Sequence, residues 1–185
     1  NAKYIIGQGE DGRPFPFVNN DANGNAWFVE NTKKVSSADA EILALDTLNT
    51  KKTAIYSEGF TAKTNLPKAF IVDSLALIKT LDYKPNYIKY QSNNSNNGFV
   101  VFSEMYYSSG WNAYIDGVLK PHIKVNYALR GLEVPKGKHI IEFKFEPEVV
   151  KSGSTIALAS SILLGLLVLG GLIYGVKSMN KISEE

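Results

Sequence analysis

Most of the side chains able to do chemistry fall between Glu104 and His139. The chain has two histidines and no cysteine, which removes disulfides, a thiolate nucleophile and cysteine-ligated zinc or iron–sulfur sites. His122 and His139 lie 17 residues apart on expected strands, and no helical His-x-x-x-His pair exists, so no metal site is expected. His139 comes after a lysine-rich turn and reads as a surface imidazole. Glu104 and Asp116 fall on neighbouring expected strand ends, where a carboxylate pair of the glycosidase kind could converge. Asp116, however, is already explained by its turn with Gly117, and Glu104 by hydrogen bonds from loop amides. No Ser–His–Asp grouping and no glycine-rich phosphate loop stands out. The sequence therefore assigns no catalytic residue and no cofactor.

An aromatic group is more informative. Tyr106, Tyr107, Trp111 and Tyr114 fall within nine residues, beside Ser108, Ser109 and Gly110. Exposed rings with polar neighbours hold sugar faces by stacking and hydroxyl hydrogen bonds. The competing reading makes Trp111 a core plug with tyrosines over its edges. Arg130, one of only two arginines, sits in an otherwise apolar strand, which suggests an ion pair or a clamp on a carbonyl rather than a solubilising role. Tyr107, Trp111, Tyr114 and Arg130 are the expected glycan-contact group.

Short strands must position these residues. From Tyr83 to Pro147 the chain alternates with a period of two, over 87–91, 111–115, 122–127 and 139–146. Phe99–Ser103 is a nearly continuous apolar run that suits a strand buried on both faces. Asn93–Gly98 and Pro135–Lys138 are turns, and Asp116-Gly117 is a strong hairpin signal. The spacing implies an antiparallel β-sandwich, jelly-roll-like, within a mainly β domain over residues 1–150. The first eighty residues are less regular. Strands are expected at 3–6, 26–30 and 53–56, with loop over 10–16 and an ambiguous stretch over 70–78. Ser36 and Ser37 precede an expected amphipathic helix, Ala38–Leu48, carrying Ile42, Leu45 and Leu48 on one face and Glu41 in its first turn.

Composition separates this domain from the residues after it. Lys and Arg number 20 against 18 Asp and Glu, a net charge of +2 that gives no nucleic-acid footprint. With 44% hydrophobic residues the chain is not disordered throughout. Ile156–Val176 has no charged side chain, and its 21 residues reach about 31 Å as a helix, the thickness of a bilayer core. A transmembrane helix is expected at 156–176, a short tether at 151–155 and a tail at 177–185. The lipid bilayer is thus a partner, and the tether would hold the domain beside it. Gly171 and Gly175 form a GxxxG element that would admit another membrane helix, from the same parent chain or a second protein. Lysine bias does not orient the helix, because Lys177 and Lys181 face Lys144 and Lys151. The chain starts at Asn1 without a signal-peptide pattern, so it is expected to be part of a longer protein.

The same residues carry a resemblance. FSEMYYSSGWNAYIDG (102–117), NYALRGLEVPKGKHIIEFKFEP (126–147) and the terminal helix resemble the C-terminal end of YfhO-type bacterial membrane proteins, and the stretches 1–6 and 21–29 also fit. The resemblance implies a polytopic protein related to GT-C glycosyltransferases, which use polyprenyl-phosphate sugars outside the cytoplasmic membrane. It also implies that residues 1–150 face the exterior and the tail is cytoplasmic. In that class the catalytic carboxylates sit in an early exterior loop, so none is carried onto this chain. The expected function is an accessory domain and last membrane helix that contacts acceptor glycan or lipid-linked sugar. The alternative is a non-catalytic structural or protein-docking module.

Overall fold

Alternation of apolar and polar residues produces thirteen strands among the described residues, which are 1–10, 12–57 and 66–182 of a computed structural model. The end of the expected tail, 183–185, lies outside them. In chain order the elements are β1 (Tyr4–Gln8), β2 (Pro14–Val18), β3 (Ala26–Val29), β4 (Asn31–Val35), α1 (Ala38–Leu45), β5 (Thr53–Ser57), β6 (Leu77–Lys84) and β7 (Tyr87–Asn94). They continue with β8 (Gly98–Met105), β9 (Trp111–Ile115), β10 (Val118–Lys120), β11 (Ile123–Val125), β12 (Leu129–Val134), β13 (Gly137–Phe145) and α2 (Glu148–Ile182). The chain divides into two units, Asn1–Phe145 and Glu146–Glu185.

Unit one is a mainly antiparallel β-sandwich. One sheet runs β10-β9-β13-β7-β6 and the facing sheet runs β11-β12-β8-β3. Between them lies a core of Ile88, Tyr90, Val100, Phe102, Ala113, Ile115, Leu132, Val134, Ile141 and Phe143. The residues alternate as the pleat requires, so Val100 and Phe102 of β8 point into this core. Phe99 and Val101 point the other way, into a second core with Val29, Ala54, Tyr56, Ile123 and Val125. That is why the 99–103 run is continuously apolar: β8 is buried on both faces. Gly131 opposite it is a packing requirement, because a Cβ there would come within 2.5 Å of the Phe99 ring and 2.8 Å of Val125.

The second core is closed by β4 and β5, which pair in parallel with α1 as their connection. Sequence alternation did not reveal this pair, because β4 is the polar run NTKKV and most of its residues stay in water. Helix α1 starts where expected, with the Ser37 hydroxyl accepting from the Ala40 amide at 3.1 Å, but it ends at Leu45 rather than Leu48. Its buried residue is Glu41; Ile42 and Leu43, on the flanking faces, are exposed. The expected apolar stripe is therefore not the packing face.

The expected loop over 10–16 is corrected in part: Pro14 and Pro16 belong to β2, which pairs with β1 from Tyr4↔Val18 to Gln8↔Pro14. A strand laddered on one side only tolerates proline, because the missing N–H is not needed there. The ambiguous 70–78 stretch is irregular until β6 begins at Leu77. The hairpin at Asp116-Gly117 forms with positive φ at both residues (50° and 81°), the backbone an Asp-Gly turn supplies.

Unit two is a single helix. Glu148–Gly175 is a 28-residue stretch long and apolar enough to cross a membrane, and none of that span's most apolar window is buried. The Ser154, Thr155 and Ser161 hydroxyls each bond a carbonyl four residues back, so they present little unpaired polarity.

Candidate functional site

Arg130 occupies the interior end of the sandwich. Its neighbours Leu132 and Val134 on β12 point into the first core, and the pleat sends Arg130 the same way, leaving it 2% exposed. Its guanidinium lies over two rings, 4.2 Å from the Trp111 centroid and 5.0 Å from that of Phe143. Nε donates to the Met105 carbonyl at 2.9 Å, across the irregularity in β12–β8 pairing at Leu129/Arg130. That is a carbonyl clamp. Burial lowers the Arg130 pKa, with the Glu104 charge working in the opposite direction. Nη1 is buried without a hydrogen-bond partner.

Around it stand further polar groups that composition alone did not single out. Tyr90 is fully buried, its hydroxyl has no partner, and desolvation, helped by Glu104, raises its pKa. Tyr83 donates to Glu104 at 3.4 Å. His122 packs edge-on to Phe143 and beside Tyr106, with ring centroids 5.5 and 5.2 Å apart. Burial, reinforced by Arg130, pulls its pKa down to about 4, so the ring is neutral. The pleat could have hinted at Tyr90 and Arg130, since both lie on inward positions of alternating strands.

The four aromatic and basic residues singled out from the sequence divide between two places. Trp111 is half-buried, stacks near Phe145 at 5.4 Å, and carries Arg130 over its ring. Tyr107 is exposed in the loop between β8 and β9, 6.4 Å from the same Phe145. Tyr107, Trp111 and Arg130 thus belong to one end of the sandwich. Tyr114 does not join them. On β9, Ala113 and Ile115 point inward, so Tyr114 stands on the outer face of the sheet, where the Lys144 ammonium lies 4.9 Å from its ring.

The carboxylate pair does not form. Glu104 lies at the Tyr107 end, whereas Asp116 turns the hairpin at the other end of β9. Asp116 accepts from the Ile140 amide at 2.8 Å and from His139 Nδ1 at 2.5 Å. His139 is therefore not a loose surface imidazole. Its hydrogen bond to Asp116 raises its pKa and lowers that of the carboxylate. Among the described residues no three metal-ligating side chains converge. A cleft of about 280 Å³ opens near this second end, lined by Asn97, Lys120 and Glu133 over Ile115, Leu132 and Val134. It has no aromatic wall and lies away from Tyr107 and Trp111.

A second buried charge went unseen in the sequence. Glu41 accepts from the Ser57 hydroxyl at 3.0 Å and from the Tyr127 amide at 2.8 Å. Asn126 and Tyr127 both hold positive φ (48° and 68°), a conformation disfavoured for tyrosine. Asn126 exchanges two bonds with Ile55, at 2.8 and 3.0 Å. Glu41 and Ile55 together hold the β11–β12 turn. Gly171 and Gly175 both lie in α2, four residues apart.

Residues 12–157 match the family model described as bacterial membrane protein YfhO. No curated protein and no solved structure matches the chain.

Proposed function

The chain belongs to the YfhO family of bacterial membrane proteins, and from that premise we propose that it is the exterior accessory domain and last membrane helix of a GT-C-like, polyprenyl-phosphate-sugar-dependent glycosyltransferase. Residues 1–150 then face the outside of the cytoplasmic membrane, 151–155, already helical as part of α2, join them to the 156–176 stretch that crosses the lipid, and 177–185 reach the cytoplasm. The domain contacts acceptor glycan or lipid-linked sugar, and catalysis belongs to other parts of the parent protein.

One observation carries the glycan reading: the exposed Tyr107 ring and the half-buried Trp111 ring both flank Phe145, and Arg130 lies over Trp111. A stacking platform works when its rings are held before the ligand arrives. Arg130 is too buried to touch sugar and acts by positioning Trp111. Tyr114, on the outer face, is a separate and weaker contact. Binding of the detergent-solubilised chain to a bacterial-glycan array tests this. Tyr107→Ala should weaken binding by roughly tenfold, on the scale of one aromatic contact, and Tyr114→Ala by less. Unchanged binding by a folded Tyr107→Ala, Tyr114→Ala double variant would sink the contact group.

The GxxxG spacing of Gly171 and Gly175 in α2 supports a second reading, a non-catalytic module that docks another membrane helix. Loss of a specific co-purifying membrane protein on Gly171→Leu, together with no glycan binding by the unmodified chain, would favour it over the first.

A further inference from the structure

The β1–β2 hairpin is an anomaly for a domain surrounded by water. Its register puts Tyr4, Ile6, Pro16 and Val18 on one face and Ile5, Phe15 and Phe17 on the other. The large side chains of both faces are exposed, with Ile6 at 76% and Phe17 at 47%. The hairpin forms its own two-stranded sheet. A lone hairpin of this kind is marginally stable in water, and an apolar surface of this extent marks an interaction site.

Its root identifies the end of the sandwich that carries it. Asn1 donates to Ser103 at 3.1 Å and to the Gly24 carbonyl at 2.6 Å, and the Asn19 amide donates to the Lys3 carbonyl at 2.8 Å. Ser103 is near the end of β8, next to the exposed Met105 and the 106–110 loop. Tyr107 in that loop and Phe145 at the end of β13 are exposed at the same end. The chain leaves unit one at Phe145, and only Glu146 and Pro147 precede the first residue of α2. The apolar hairpin and the exit toward the apolar helix therefore share one end of the domain.

We propose that β1–β2 is a lipid-contacting element that lies in the headgroup–acyl boundary of the bilayer, with both faces in lipid. The proposal rests on the membrane reading of α2. A protein groove covers one face of a two-stranded ribbon and leaves the other in water, whereas lipid solvates both. Tyr4 is a ring type that suits the interface, and Phe15 and Phe17 are apolar rings of the kind that bury at the headgroup–acyl boundary. The tip carries Glu10 and Arg13, so the hairpin lies along the boundary and does not plunge through the hydrocarbon.

The chain has no cysteine, so single nitroxide labels can be placed at will. Ile6→Cys and Phe17→Cys report the two faces of the hairpin, Leu164→Cys reports α2, and Lys136→Cys reports the far end of the sandwich. The full chain is reconstituted in phosphatidylethanolamine–phosphatidylglycerol vesicles. Power saturation then compares relaxation by oxygen, which concentrates in lipid, with relaxation by a water-soluble nickel chelate. Labels at 6 and 17 should both favour oxygen several-fold more than the label at 136. If they match 136 while 164 favours oxygen, the hairpin is in water and the proposal fails alone. Low access to both reagents at 6 or 17 means a protein covers that face, which also overturns it. If 164 itself matches 136, the membrane reading falls and takes this proposal with it. Tyr4→Cys and Phe15→Cys repeat the measurement should either first variant not fold.

Discussion

The two faces of the β11-β12-β8-β3 sheet bury opposite charges in different ways. On the face toward β9 and β13, Arg130 rests on Trp111 and Phe143 with one guanidinium nitrogen unpaired. On the face toward β4, β5 and α1, both carboxylate oxygens of Glu41 accept a hydrogen bond. A buried carboxylate whose donors come from a left-handed turn and a strand is a staple, because removing it takes an acceptor from both. A buried guanidinium lying on rings contributes much of its value as packing, which an apolar side chain can replace. Position in the interior therefore says less about a charge than what its atoms touch.

Glu41→Ala should be the most damaging change. It strips the Tyr127 amide and the Ser57 hydroxyl of an acceptor and leaves a strained turn unsupported, at a cost of about 4 kcal/mol. The check is the urea midpoint of the detergent-solubilised chain, followed by tryptophan fluorescence. His122, which faces Arg130, Phe143 and Tyr106, gives the next largest effect. Its folded pKa is depressed to about 4 from 6.5, so the unfolded chain takes up the proton first as pH falls. Its contribution is complete above pH 6.5 and is lost as pH drops toward 4, by at most about 3 kcal/mol. His122→Leu should flatten that part of the acid profile. His139 works in the other direction. Its pKa is raised by Asp116, so its contribution is present below its unfolded pKa and fades as pH rises through the folded value.

Arg130→Met sharpens the comparison most directly. It should change stability by no more than about 1 kcal/mol, because the thioether chain keeps the contact with the rings and the lost Nε bond frees only the carbonyl of Met105, an exposed residue. A cost equal to that of Glu41→Ala would erase the distinction between the two faces. Tyr107→Ala should be the mildest, within about 0.5 kcal/mol in the same assay, since the ring is exposed and its removal opens no cavity.

Most of residues 87–145 were legible from the sequence because their alternation is local, but β10 (Val118–Lys120), the partner of β9 across the Asp116-Gly117 turn, was not. Two-residue periodicity, the Asp116-Gly117 turn and the doubly apolar Phe99–Ser103 run each express a strand's own geometry within a few residues. The uncharged 156–176 stretch is equally local, since helix length and apolarity alone set what can cross a bilayer. The chain thus determined by itself a β-sandwich and an apolar helix, together with Arg130 as an anomaly. Only the tertiary structure decided that Arg130 lies on Trp111 and Phe143, that Tyr114 stands on the opposite face from Trp111, and that Glu104 and Asp116 never meet. It also decided the parallel β4–β5 pair and the role of Glu41, whose partner Tyr127 is 86 residues away. A polar side chain's partners are set by which backbone donors the closed fold leaves unpaired, and no pattern within one strand or helix encodes that.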